Sequence, residues 1–216
     1  MQFPTYKNEL DALANGHNLV AGCDEVGVGP LAGPVVAAAV IIDPKSVGEQ
    51  RSSSKWYYRV RDSKTTNEAE RLELLEQIKA NALTYGIGEV QPNEIDQINI
   101  HKAKLLAMKK AVLNMLEKIE NSGEKKIFLF LDGKFTIKNL DLINVTQKAL
   151  IAGDALVLSI SAASIIAKVY RDNILKQLDL QRPEYGFGHH KGYGTKKHQL
   201  ALAKYGPSEF HRKSFL

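Results

Sequence analysis

A chain of 216 residues, 44% hydrophobic and 25% charged, is long enough for one buried core, and no run nears the ~18 apolar residues of a membrane helix, which excludes a helical membrane protein. Its single cysteine, Cys23, excludes a disulfide framework and a Cys-rich zinc site, and the N-terminal MQFPTYKNELDAL is no secretory signal, so the expected compartment is the cytoplasm. Lys and Arg number 29 against 24 Asp and Glu, and the whole excess of +5 falls in residues 181–216, a basic tail that suits a polyanionic partner as well as a solvated helix.

No internal repeat or low-complexity tract is present. A short helix is expected before Gly16. Residues 18–26 and 33–42 are apolar and bounded by Gly and Pro, as the two strands of a hairpin would be. Residues 44–61 lose apolar periodicity and read as a flap. Its cations Lys45, Arg51, Lys55, Arg59 and Arg61, with Lys64 just beyond, surround Trp56, Tyr57 and Tyr58, which suits nucleic-acid contact and a covering loop equally. Thr65 with Glu68, or Asn67 with Glu70, predicts a capping box, and Leu72, Leu75, Ile78 and Ala82 follow at helical spacing. A strand is expected over 84–90. A helical region then runs from Pro92 to about Asn121, broken near Asn99, striped with Leu105, Val112, Leu116 and Ile119, and ended by Gly123. KIFLFLD at 126–132 predicts a central strand and LINVT at 142–146 another. A helix follows from about Ser159 to Leu180, with Pro183 beyond its end, and a last one spans 195–205. Strands first, then strand–helix alternation, argue for an α/β domain over residues 1–180, with residues 181–216 a basic helical extension packed on it.

Several acids stand at odds with their neighbours. Asp24 and Glu25 end the apolar NLVAGC, Asp132 ends IFLFL, and Asp154 follows Gly153 shortly before a helix. A carboxylate at the end of a buried strand is costly to desolvate unless it is paired, hydrogen-bonded or metal-bound. Taken singly, a cap at Asp154 or a turn after Asp132 accounts for the acid. Several carboxylates gathered without cysteine suit a hard divalent cation. Adjacent strand residues point to opposite faces, so Asp24 and Glu25 share a site only if the chain bends there, and Gly27 and Gly29 make a bend easy. The glycine-rich Gly27-Val28-Gly29 and Gly33 match neither dinucleotide-binding nor Walker spacing; exposed amides beside carboxylates suit a phosphodiester near metal ions. Residues 185–198 interleave aromatic and basic side chains, as nucleic-acid surfaces do, and His189, His190 and His198 fit no common zinc spacing.

With these residues in view, the chain resembles the ribonuclease HII, or type 2 ribonuclease H, family. GCDEVGVGPLAGPVVAAAV is similar to the family's opening segment. RDSK at 61–64, FLDGK at 130–134, GD at 153–154, ISAASIIAKVYRD at 160–172, HKGYGTKKH at 190–198 and HRKSF at 211–215 resemble its later motifs in order. The resemblance implies an RNase H-like mixed β-sheet flanked by helices, with a C-terminal helical extension. It implies endonucleolytic cleavage of the RNA strand of RNA–DNA hybrids and of ribonucleotides embedded in DNA duplex, leaving 5′-phosphate and 3′-hydroxyl ends. It implies catalytic, metal-ligating carboxylates at Asp24 (bridging), Glu25, Asp132 and Asp154, binding two Mg2+ or Mn2+ ions. Tyr193 is expected to stack on a deoxyribose, Gly27, Val28 and Gly29 to read the 2′-hydroxyl, and Lys64, Lys168 and Lys191 to hold phosphates.

Three positions depart from the family pattern. Val28 stands where the family carries arginine, Ala152 where lysine is frequent, and Gly194 where proline is usual. Val28 bears on recognition of a single embedded ribonucleotide more than on hydrolysis. A type 3-like ribonuclease H, active on long hybrids and poor at single ribonucleotides, and a non-catalytic nucleic-acid binding module are the competing functions. No clamp-binding tail is expected after Phe215-Leu216, and the expected state is a monomer.

Overall fold

The computed structural model describes residues 3–48, 55–61, 66–119, 124–140 and 144–216. Strands β1 (Leu19–Val26), β2 (Val35–Ile42), β3 (Ala82–Val90), β4 (Lys126–Asp132) and β5 (Asn144–Leu150) form one mixed sheet in the order β3-β2-β1-β4-β5. The predicted hairpin is there: β1 and β2 are antiparallel, with Gly22 opposite Val40 and Val26 opposite Val36. β4 pairs parallel to β1, and β5 parallel to β4. The central strand is therefore β1 rather than the predicted 126–132, which lies second from the edge. β5 runs on to Leu150, past the expected end at residue 146.

β2 is buried along its whole length because helices cover both faces. Its odd positions, Val35 to Ile41, join Ala21, Cys23, Leu129 and Leu131 against α4 (Ile100–Leu116). Its even positions, Val36 to Ile42, meet α2 (Glu68–Asn81) and α5 (Leu158–Gln181). A Cβ on Gly22 would fall 2.2 Å from backbone atoms of Ser159 and Ile160, so glycine is what lets α5 cross β1 two residues before Asp24. Among the described residues no helix is long and apolar enough to cross a membrane.

Several local expectations hold and others shift. α1 (Lys7–Ala14) precedes Gly16. Asn67 caps α2 by accepting the Glu70 N–H, and the buried stripe is Leu74 and Ile78; Leu72 is exposed, because the sheet and α5 lie on the other side of the helix. α3 (Pro92–Ile98) is separated from α4 at Asn99, whose φ of 69° breaks the helix while its side chain caps the next one. α4 buries mainly Ala103, Ala107, Met108, Ala111, Val112 and Met115, with Leu105 half-buried. Gly123 lies outside the described residues. After α5 come α6 (Phe187–His190) and α7 (Lys196–Tyr205), and Ala32 bridges to His211, joining the terminal segment to the loop between β1 and β2.

Candidate metal centre and its flanking loop

β1 and β4 pair from Leu19 with Ile127 to Cys23 with Leu131. Past Cys23, β1 continues along β2 alone, with Asp24 opposite Ala38 and Glu25 opposite Ala37. The ladder is regular through Val26, so the expected bend between the two acids is absent. Instead the flank of β1 toward β4 is open beyond Cys23, and carboxylates from opposite faces close around it. Asp24, Glu25 and Asp132 each bring an oxygen within 4.8 Å of the others, the one such group among the described residues.

Each carboxylate is held differently. Asp24 is 5% exposed; its carboxylate accepts the Glu25 N–H at 2.7 Å and the Ser164 hydroxyl from α5. Burial first, then the charges of Glu25 and Asp132, push its pKa well above the usual carboxylate range. Glu25 turns to the α4 side, where its Oε1 lies 2.5 Å from Lys104 Nζ. Burial raises its pKa, and the Lys104 ammonium opposes that shift. The second oxygen of Glu25, Oε2, is buried without a hydrogen-bond partner. Asp132 Oδ1 accepts the Gly153 N–H at 2.8 Å, which ties the end of β4 to the turn Gly153–Ala155. Asp154 rides on that turn, half-buried, outside the group of three.

The glycine loop turns away directly after β1. Gly27 has φ +90°, and a Cβ there would lie 2.2 Å from Arg171 Nε. Two fully buried guanidinium groups hold this loop through its carbonyls. Arg171 donates to Pro34 O, Ala32 O and Lys191 O at 2.9–3.0 Å. Arg212 donates to Gly27, Val28, Pro30 and Gly33 carbonyls at 2.6–3.1 Å. Burial lowers both guanidinium pKa values, and Arg171 lowers that of Arg212 further. Arg212 belongs to the basic tail in sequence, yet it faces inward, because five donors in a fixed fork match a ring of carbonyls.

Tyr193 sits beside this loop: its ring Cε1 is 3.7 Å from where a Cβ on Gly29 would be, and the side chain is half exposed. Its carbonyl is bonded to His198 Nδ1 at 2.9 Å. Lys168 is engaged by Asp172 at 2.8 Å, and Lys191 donates to Gly188 O at 2.6 Å. Lys64 and Arg51 lie outside the described residues. His198 Nε2 and His211 Nε2 are 2.9 Å apart, His190 stacks on His198 and Phe187 meets His198 edge-on, so these rings pack as an aromatic cluster.

Lys104, Ser164, Arg171 and Arg212 are the site's neighbours that sequence reasoning missed. Arg171 had a signal: it lies four residues after Ala167 and four before Leu175, both fully buried, so helical phase turns it inward. Lys104 had none.

A family model described as Ribonuclease HII matches residues 21–216. Ribonuclease HII of Clostridioides difficile (strain 630) is 46% identical over 210 residues, covering 96% of this chain and 74% of that protein. Ribonuclease HII of Alkaliphilus metalliredigens (strain QYMF) is 47% identical over 203 residues, covering 93% and 91%. Among solved structures, ribonuclease H2 from Pyrococcus horikoshii OT3 superposes with a TM-score of 0.67 at 24% identity, over 91% of this chain and 93% of that one. Bst-RNase HIII in complex with Mn2+ gives 0.72 at 21% identity, over 95% and 70%. The mixed sheet with its flanking helices thus has the fold of ribonucleases H2 and H3. By the family model and the two relatives, the chain belongs to the ribonuclease HII family and is a ribonuclease H enzyme.

Proposed function

We propose that the enzyme is a divalent-metal-dependent endonuclease that cuts the RNA strand of RNA–DNA hybrids and the ribonucleotide embedded in DNA duplex, leaving 5′-phosphate and 3′-hydroxyl ends. The observation that carries this is the group of Asp24, Glu25 and Asp132 at the strand ends, directly before a glycine loop that lies beside Tyr193. An all-oxygen donor set with a buried, unpartnered Glu25 Oε2 fits Mg2+ or Mn2+. When bound, such ions activate water and stabilise the leaving 3′-oxygen.

The chain's own residues supply the rest. Asp24, Glu25 and Asp132 are the ligands, and Asp154 joins them through the turn that Asp132 anchors. The amides of Gly27 to Gly29 approach the 2′-hydroxyl, since no side chain on either glycine stands in the way. Tyr193 offers an exposed face for a sugar. Lys168 and Lys191 reach phosphate by leaving Asp172 and the Gly188 carbonyl, and Lys64 completes the set. Residues 181–216 work in one unit with residues 1–180, because Tyr193 and Arg212 meet the loop across that boundary. The buried free thiol of Cys23 is compatible with a cytoplasmic location.

The test is a nicking assay on a long hybrid and on a one-ribonucleotide duplex, with Mg2+, Mn2+ or EDTA and end-group analysis. Cutting of both substrates with either ion, and of neither in EDTA, is expected. Cutting of the hybrid alone would make the enzyme type 3-like in specificity, and activity in EDTA would remove the metal.

A further inference from the structure

Lys104 is the one cation in direct contact with the carboxylate group among the described residues. It projects from α4, and its ammonium contacts Glu25 Oε1 at 2.5 Å, at the end of β1. It lies beside the turn after β4, where a Cβ on Gly133 would come 3.3 Å from Lys104 Nζ; Gly133, at φ +102°, leaves the room the ammonium uses. The Lys104 side chain is 21% exposed and that of Glu25 10%, so the pair is shielded from bulk water yet has a path out for the lysine. A pair so placed is screened less than a surface ion pair and holds more strongly.

An ammonium and a divalent cation both compete for the same carboxylate oxygens. We propose that Lys104 is a built-in counter-ion of the metal centre: it occupies Glu25 in the metal-free enzyme and is displaced when a divalent cation takes that ligand. This rests on Asp24, Glu25 and Asp132 holding metal. The consequence is a weaker metal affinity than the same carboxylates would have alone, with a folded, charge-compensated site before metal arrives.

Isothermal titration of the full chain with Mn2+ tests this without substrate. Lys104→Met keeps the apolar stem and removes the charge; Lys104→Gln removes the charge with a polar tip, should the first variant fold poorly. Lys102→Met, at an exposed position two residues away, removes the same charge without touching Glu25 and sets the background. We expect Kd for Mn2+ to fall about ten-fold in the Lys104 variants relative to Lys102→Met, or about 1.4 kcal/mol. The Mn2+ concentration for half-maximal cleavage should fall in parallel. Equal affinities, or weaker binding in the Lys104 variants, would overturn the counter-ion role and make the lysine a support for Glu25. If neither wild type nor any variant binds Mn2+, the metal centre itself is overturned, and the counter-ion with it.

Discussion

Asp24 is the most buried of the three carboxylates, and burial with the charges of Glu25 and Asp132 dominates its electrostatic environment. Its folded-state pKa stands well above the ordinary value, so the stability it confers is present at acid pH and is lost as pH rises above the usual carboxylate range. Asp24→Asn should therefore raise the thermal midpoint of the metal-free protein at pH 7 to 8 while lowering cleavage by more than about 100-fold, beyond what loss of an outer-shell partner costs. Differential scanning fluorimetry in EDTA and single-turnover kinetics with Mn2+ check the two halves. At Val28 the backbone is already fixed, since its carbonyl takes an Arg212 hydrogen bond at 3.1 Å. Only the side chain differs from the family pattern, and valine offers no fork for a phosphate. Val28→Arg should raise kcat/KM on the one-ribonucleotide duplex by roughly 10-fold or more, the worth of a charge-assisted contact of about 1.5–3 kcal/mol. A long hybrid offers many registers and should gain less; equal gains on both substrates would separate this loop from junction choice.

At the scale of elements, α5 begins without a cap from its own N-cap residue. Glu9 of α1 supplies one from 150 residues away: its Oε1 accepts the Ser159 N–H at 2.8 Å, and its Oε2 is buried without a partner. The same segment brackets the turn before α5 through Thr5 N to Leu156 O and Leu158 N to Thr5 O. Burial pushes the Glu9 pKa from 4.5 up to about 7. A raised carboxyl pKa means that stability falls from about pH 4.5 to about pH 7 and is flat above, by ~3 kcal/mol for that span at ~1.4 kcal/mol per pH unit. Glu9→Gln removes this loss. Its stability relative to wild type should climb by up to ~3 kcal/mol between pH 5 and pH 8 in urea denaturation, and parallel curves would show that Glu9 titrates normally. The same contrast explains what was legible in the sequence. β1, β2, β4 and α5 are apolar runs with clear stops, and Asp24, Glu25 and Asp132 stood out because each ends such a run. Glu9 did not, because its partner is a backbone amide, and amides carry no sequence signature. The α2 stripe slipped to Leu74 and Ile78 for a related reason: a helix with four glutamates and scattered leucines leaves its inward face to whichever apolar residues meet the sheet.

Across the whole molecule, the parts that form the site come from both ends of the chain, and Arg212 is what joins them. It reaches Gly27 over a separation of 185 residues and satisfies four loop carbonyls, while Arg171 satisfies two more and the carbonyl of Lys191, two residues before Tyr193. Composition placed Arg212 among surface cations for a polyanion; in the fold it is a buried brace, and neighbouring Lys213 instead donates its N–H to Asp96. The buried charges repel each other, which burial alone would make unfavourable, and carbonyl oxygens offset that cost. Removing the guanidinium leaves those oxygens without donors in a space closed to water. Arg212→Ala should destabilise the protein by about 3–5 kcal/mol in urea denaturation. Arg212→Lys keeps the charge but presents three tetrahedral donors to carbonyls arranged for a planar fork, so it should recover less than half of that loss. In this milder variant the carboxylates are untouched, because Asp24, Glu25 and Asp132 are held by α5, α4 and the Gly153 amide. Mn2+ affinity should stay within about two-fold of wild type while KM for the one-ribonucleotide duplex rises, since the glycine loop beside Tyr193 loses its brace. A fall in Mn2+ affinity equal to the rise in KM would mean instead that Arg212 supports the sheet end as a whole and that loop and metal centre are one rigid piece.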